Sequence, residues 1–305
     1  MPDSVLVTGA SGFLGRYAAR EWSRAGCRVV GIGRDPWSES EWRTWGLSEW
    51  LCADLSVETL SAIAGEPDVV VHCAGGSSVG ASFHAPEADF QSTLGTLLSA
   101  LEFIRLKAPA ASLIYPSSAA VYGEVARLPI HEDDPLRPAS PYGTHKRMAE
   151  DLCRSHARHF GVKVAMVRFF SLYGEGLRKQ LLWDACLKFF KGEASFLGTG
   201  EELRDWLHVE DGARLLRIAA GHAGTACPVV NGASGVGTSV RQVLSCIRPA
   251  FPEAPSLSFT SVAKAGDPSA YVADCEKAFA WDWRPSVDLE QALGAYAEWF
   301  LQERR

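Results

Sequence analysis

The sequence predicts an α/β protein built on a doubly wound parallel sheet. Two observations carry this: a glycine-rich turn that joins the first apolar run to a helical pattern, and a regular alternation of short apolar runs with helical periodicity up to about residue 170. The turn is Thr8-Gly9-Ala10-Ser11-Gly12-Phe13-Leu14-Gly15, directly after Val5-Leu6-Val7. Gly9 permits a tight turn, Gly12 lets backbone approach a pyrophosphate, and Gly15 packs the new helix on the strand. An anion would sit on that helix's N-terminus, where free N–H groups and the positive dipole end meet. The spacing G-x-x-G-x-x-G departs from the dinucleotide fingerprint G-x-G-x-x-G, and three glycines in such a turn can also be purely structural.

Composition sets the bounds. A chain of 305 residues with 47% apolar content can bury a full core in one large or two modest domains. A net charge of −6 gives no reason to expect nucleic acid or an anionic membrane surface as partner, so phosphate sites must be local. Pro2 and Asp3 lead straight into the first strand, and no apolar run is long enough to span a bilayer, so a cytoplasmic protein is expected. Cysteines 27, 52, 73, 153, 186, 227, 246 and 275 form no C-x-x-C pair and no metal spacing; no metal site is expected, and they read as small core residues of a reducing compartment.

Taken in order, a helix over residues 14–25 closes at Gly26, and Val29 to Ile32 forms a second strand, completing a βαβ unit. At its tip stand Gly33 and Arg34, where a carboxylate would hold the ribose hydroxyls of NAD. The guanidinium points to a 2′-phosphate, hence NADP, unless Arg34 is only a surface charge. Residues 36–50 carry Trp37, Trp42, Trp45 and Trp50 and read as a helical lid over the sheet edge, whose aromatics serve as core or as a binding platform. Leu51 to Leu55 resembles a third strand; Asp54 would accept from the adenine amino group or cap the next helix. Asp68 to Gly76 is a fourth strand ending in small residues, Ala74 and Gly75 among them, with His72 a satisfied interior residue. A long helix over 86–106 and a fifth strand over 111–116 follow.

Chemistry enters next. Ser117 and Ser118 lie at that strand's carboxyl end, and Ser140-Pro141-Tyr142-Gly143-Thr144-His145-Lys146 opens a helix, with Ser140 as N-cap and Pro141 at the first helical position. Tyr142 and Lys146 are one turn apart on one face. An ammonium beside the phenol would lower its pKa and fit it for acid/base work near neutrality.

With these residues in place the chain resembles the extended short-chain dehydrogenase/reductase family, in its NAD-dependent epimerase/dehydratase branch that acts on nucleotide sugars. The resemblance rests on Thr8 to Gly15, Asp54-Leu55, His72 to Gly75, Ser118 to Gly123, Tyr142/Lys146, Arg168 to Gly174, Arg204 to Val209 and Gly266-Asp267. It implies Ser118 as catalytic hydroxyl, Tyr142 as acid/base and Lys146 as activating lysine. The cofactor would lie along Gly9, Ser11, Gly12, Phe13, Leu14, Gly15, Arg34, Asp54, Leu55, Ala74, Gly75, Tyr142 and Lys146. The resemblance further implies a Rossmann-type dinucleotide-binding domain over 1–170, with 204–222 returning to it, and a smaller C-terminal substrate-binding lobe from 171–203 and 223–305. For the substrate, Ser118 and Ser171 are candidates, with Arg204 as diphosphate clamp because a planar fork of donors matches phosphate oxygens, and Arg178, Lys179 and Lys264 as further cations.

Three departures stand out. Ser92 and Ser171 occupy positions where the family often has Asn, and Ser118-Ala119-Ala120 lacks the Asp-Glu pair of the 4,6-dehydratases, so water elimination has no evident catalyst. The expected activity is NADPH-dependent reduction of a 4-keto nucleoside-diphosphate sugar. The alternatives are a C4 epimerase with retained NAD and, more distantly, a non-catalytic NADP-sensing protein. Helices at 86–106 and 142–160 imply a homodimer.

Overall fold

A computed structural model describes residues 2–262 and 269–304. Six strands in chain order open the main sheet: β1 (Ser4–Thr8), β2 (Arg28–Gly33), β3 (Glu49–Cys52), β4 (Val69–His72), β5 (Ser112–Ser118) and β6 (Lys163–Phe169). With the later strand Val229–Gly232 they form one parallel sheet of seven, in which β1 lies between β2 and β4 and the late strand pairs with β6 at the far edge. The strand order therefore reverses at β1, and a crevice opens beyond the carboxyl ends of β1 and β4. Val5, Leu6 and Val7 are fully buried, as are Val70 and Val71, because helices cover both faces of a parallel sheet and each strand must be apolar on both sides.

One face packs α1 (Phe13–Arg24) and the helix Val209–Ala220 through Ala18, Trp22, Leu215 and Leu216. The other packs the helices Val57–Ala64, Thr96–Lys107 and Pro141–Phe160 through Leu60, Leu97, Leu101 and Cys153. Each such side chain contributes roughly 1.5–3 kcal/mol of burial. A third apolar cluster stands apart from the sheet. It joins Leu182, Phe189, Val243, Leu244, Leu293, Tyr296 and Phe300 into a smaller lobe. Val229–Gly232 falls in the stretch assigned to that lobe, yet it is the edge strand of the main sheet.

Several elements differ from expectation. The third strand is Glu49–Cys52, so Asp54 and Leu55 lie beyond it. Residues 36–50 form no lid: one short helix, Glu39–Thr44, is fixed by a Ser38/Glu41 capping box, and Trp42 and Leu47 are buried in the core against α1 while Trp37 meets Trp50 edge-on. The long helix breaks into Pro86–Phe90, a π-turn at Gln91–Gly95 and Thr96–Lys107. Cys52 is exposed, unlike the buried Cys27, Cys153, Cys186, Cys227 and Cys275.

Candidate active site

The glycine turn is tight for reasons visible in its contacts. Gly9 has φ +66°, its N–H donates to the Ile32 carbonyl at 2.7 Å, and a Cβ there would come within 2.7 Å of the Ala74 backbone nitrogen. A Cβ on Gly15 would strike the Gly9 carbonyl oxygen at 2.1 Å. Gly12 is the N-cap of α1 and offers no side-chain cap, so the first-turn N–H groups face the crevice. Behind the turn, Thr8 Oγ1 sits 2.9 Å from His72 Nδ1 and accepts from the Ala74 N–H at 3.3 Å. Burial, with some help from the Lys146 charge, pushes the His72 pKa down to about 3, so this ring is a neutral structural partner.

A cleft of about 910 Å³ runs from this turn across the ends of β1, β4 and β5. Gly9, Ser11, Gly12, Phe13, Leu14 and Gly15 line it; farther along come Arg34, Asp54 and Leu55, then Ala74 and Gly75, then Ser118, Tyr142 and Lys146. The helix after Asp54 is capped by Ser56 with Thr59, which leaves the Asp54 side chain uncommitted to capping. Gly33 owes its identity to Trp50, whose ring would lie 2.7 Å from a Cβ.

At the chemical end, Ser118 closes β5 and its Oγ accepts from the Ala120 N–H at 3.2 Å. Ser140 caps the next helix by accepting from the Gly143 N–H at 3.1 Å, Pro141 follows at the first position, and the Tyr142 N–H donates to Ser82 Oγ at 3.0 Å. Lys146 is buried. Its ammonium donates to the Pro116 carbonyl at 3.1 Å and lies 5.9 Å from the Tyr142 ring centre. Burial lowers its pKa to about 8. The lowered phenol expected for Tyr142 is not found in the protein by itself: burial pushes it up, a hydrogen bond with the Ser118 side chain works against the rise, and the Asp89 charge adds to it.

The remaining site expectations separate. Ser92 lines the cleft, but its hydroxyl donates to the Asp89 carbonyl of its own helix at 3.0 Å. Phe170 and Leu172 line the cleft, whereas Ser171 between them, in a strand of alternating faces, is not among the lining residues. Arg178 pairs with Glu303 and lines a separate cavity of about 770 Å³ behind α1. Arg204 lies in the strand Leu203–His208, donates to the Leu203 carbonyl at 2.8 Å, and is likewise absent from the cleft lining. Lys264, and the Gly266-Asp267 pair, lie outside the described residues. Lys179 does line the cleft, with its ammonium donating to Ser77 Oγ at 2.7 Å and to the Ser77 carbonyl at 3.1 Å. Asp35, beside Arg34 in the lining, is a residue that the sequence reading passed over.

Arg168 is scaffold. Its guanidinium grips both oxygens of Glu150 at 2.9 and 2.8 Å and donates to the Tyr122 hydroxyl at 3.0 Å and the Glu132 carbonyl at 2.8 Å. Tyr122 in turn donates to Asn231 Oδ1 at 2.6 Å, and Ser117 to Glu150 at 2.7 Å. Burial works against the Glu150 charge, but Arg168 overrides it and holds the carboxyl low. This network ties β5, β6, the late edge strand and the helix Pro141–Phe160 together directly behind Ser118.

Residues 5–231 match the NAD dependent epimerase/dehydratase family. The chain belongs to this family. Among its relatives, a UDP-glucose 4-epimerase of Corynebacterium glutamicum is 30% identical over 90% of this chain and 88% of its own. A putative UDP-glucose 4-epimerase of Methanocaldococcus jannaschii is 27% identical over 99% of both chains. The solved structure of MoeE5 in complex with UDP-glucose and NAD superposes with a TM-score of 0.84 at 26% identity, covering 99% of this chain and 100% of that one. The expected fold class and the family are thus shown, and with them an NAD(P)-dependent enzyme. No helix among the described residues is long and apolar enough to cross a membrane.

Proposed function

We propose that the protein is a nucleoside-diphosphate-sugar 4-epimerase that retains NAD. The observation that carries this reading is the meeting of Ser118, Tyr142 and Lys146 in one cleft of about 910 Å³ with the glycine turn. The turn fits a dinucleotide: Gly9 and Gly15 sit where any Cβ would collide, and α1 presents uncapped N–H groups to a pyrophosphate. UDP-glucose 4-epimerases among the relatives, and NAD in the MoeE5 complex, favour epimerisation over the net reduction expected from the sequence. The expectation of NADP rests on Gly33-Arg34, a missing carboxylate at the strand tip together with an added guanidinium. Asp35 puts a carboxylate in the same stretch of the lining, which suits ribose hydroxyls and repels a 2′-phosphate.

When bound, NAD would supply the hydride acceptor and donor that inversion at C4 requires. Tyr142, entering the step as the phenolate beside the Lys146 ammonium, takes the proton of the C4 hydroxyl and returns it once the 4-keto sugar presents its other face. Ser118 hydrogen-bonds the same oxygen through both steps, and Lys146 orients the cofactor ribose and supplies positive charge beside the phenol. Ala119 and Ala120 offer no acid for water elimination.

Lys179 supports an anionic substrate. It is a half-buried cation whose partners are the two neutral oxygens of Ser77, and burial lowers its pKa. Among the described residues no carboxylate pairs with it. Buried charge is normally matched, and a sugar diphosphate would match this one. The test is to incubate purified protein with UDP-glucose, without added cofactor, and follow UDP-galactose by anion-exchange chromatography. Interconversion, with NAD released on acid denaturation, is expected. Consumption of added NADPH on a 4-keto sugar, with no interconversion, would restore the reductase.

A further inference from the structure

The second cavity, of about 770 Å³, lies where α1, the short helix Glu39–Thr44 and the helix Leu289–Gln302 come together, and its size is that of a small-molecule site. The segment after Tyr173 is the wall it shares with the cofactor cleft: Leu177, Lys179 and Gln180 line the cleft, whereas Glu175, Gly176 and Arg178 line the second cavity. Most charges in this lining have partners. Arg20 donates to Glu210 at 2.7 Å, and Arg178 pairs with Glu303. Glu175 accepts from the Tyr17 hydroxyl at 3.4 Å and faces His208 at 3.6 Å, Glu41 accepts from Ser38 Oγ at 2.6 Å, and Asp288 accepts from the Gln291 N–H at 2.9 Å. Arg16 is the exception. Its Nη2 donates to the Ser11 carbonyl at 2.6 Å, but its Nε is buried without a partner, and among the described residues no carboxylate pairs with it. Trp37 and Trp45 set their rings 5.6 and 5.4 Å from the guanidinium carbon. A ring face attracts the cation, yet it offers no oxygen to the in-plane N–H groups.

We propose that this cavity binds an aromatic monocarboxylate, with the carboxylate on the Arg16 guanidinium and the ring against Tyr17 and Trp45. The carboxylate follows from the donor: a planar guanidinium with free N–H groups takes two oxygens at once, and this one lacks an internal acceptor for its Nε. Burial, and after it the Arg178 charge, lower the Arg16 pKa, as expected of a cation short of counter-charge. A single negative charge follows from the surroundings. Five carboxylates share the lining with three arginines, so a nucleotide or diphosphate would meet more repulsion than Arg16 offsets. The ring follows from the walls, where Tyr17 and Trp45 stand edge-to-face at 5.0 Å and Trp299 adds a third aromatic surface.

The probe is indole-3-acetate, titrated into the full chain and followed by saturation-transfer NMR, with and without saturating NAD and UDP. Saturable binding at about 1 mM or tighter is expected, unchanged when NAD and UDP fill the cleft. Indole-3-acetamide, which keeps the ring and loses the charge, should bind about tenfold more weakly or worse. Arg16→Met should weaken the acid by the same factor and leave the amide unaffected, with Arg16→Lys in between. Ala295→Trp covers the case of Arg16→Met failing to fold: Ala295 is an exposed residue of Leu289–Gln302 in the cavity lining, and an indole there should exclude the probe. No saturable binding up to about 10 mM, equal binding of acid and amide, or native affinity in Arg16→Met or Ala295→Trp overturns the proposal. Displacement of the probe by NAD or UDP would put it in the cofactor cleft and overturns it as well. None of these readings uses turnover, so they stand apart from the epimerase assay.

Discussion

Lys146 is buried and Tyr142 half-buried, and burial moves the two pKa values in opposite directions, the phenol up and the ammonium down to about 8. Both shifts favour the uncharged forms, so activity depends on charges brought by ligands and neighbours. Tyr142→Phe keeps the ring and removes the proton, and turnover should fall about 10²–10⁴-fold with cofactor retention unchanged. Ser118→Ala, which removes one donor to the reacting oxygen, should lose roughly 10²–10³-fold; steady-state kinetics on the same UDP-sugar separates the two. Lys146 also makes a stability prediction. Its folded pKa lies below an unfolded value of about 10.4, so between the two the unfolded chain binds more protons and stability rises with pH. Lys146→Met removes the cost of the buried ammonium and loses one hydrogen bond, worth about 1 kcal/mol. It should melt at or above the native temperature at neutral pH, with the margin shrinking toward about pH 10, while turnover is lost. Calorimetry across that range checks the sign. For the substrate cations, Lys179→Met should weaken UDP binding about tenfold or more, the loss of one charge-assisted hydrogen bond. Arg178→Ala, outside the cleft, should leave it unchanged in titration calorimetry.

At the scale of elements, legibility followed how local the cause is. The glycine turn, Ser140-Pro141 and the alternation of strands and helices are decided within a few residues, and each appears where the sequence placed it. Trp42 shows the opposite case: residues 36–50 read as a lid whose aromatics serve as core or as a binding platform, and packing against α1 makes Trp42 core and leaves no lid. The π-turn at Gln91–Gly95 was invisible because apolar spacing continues through it; one extra residue per turn redirects Ser92 and Thr93 toward the cleft and Gly76. The helical stretch over 86–107 and the helix Pro141–Phe160 leave an apolar surface that the fold does not cover. Leu98 is 45% exposed, Met148 43% and Phe160 54%, with Phe90 and Leu106 also exposed. These side chains stand on the two helices expected to pair across a two-fold axis, and burying them against a second copy would account for their composition. Light scattering should report a dimer at micromolar concentration, and Met148→Glu with Phe160→Glu should shift it to monomer.

The whole molecule places its cleft between a sheet whose strand order turns back at β1 and a lobe built around Phe189, Leu293 and Phe300. Strand order cannot be read from any single strand, and neither can the absence of Arg204 from the cleft lining, since both follow from how late segments return to the sheet. Cofactor choice belongs to this scale as well, because it compares two ligands across a site assembled from β1, β2 and β4. Arg34 attracts a 2′-phosphate and the adjacent Asp35 repels it, so the two side chains oppose each other where the sequence reading weighed only the first. Any ligand bound only by the folded protein stabilises it by RT ln(1 + [L]/Kd), about 2.7 kcal/mol at a hundredfold excess over Kd. Equal concentrations of NAD and NADP therefore rank their affinities through melting temperature alone, without turnover. NAD should raise the melting temperature of the cofactor-stripped protein more than NADP does. Asp35→Ala should narrow the gap, and Arg34→Ala should leave the NAD effect in place. A larger shift with NADP in the native protein would return Arg34 to the role its sequence position suggests and would overturn the choice of NAD.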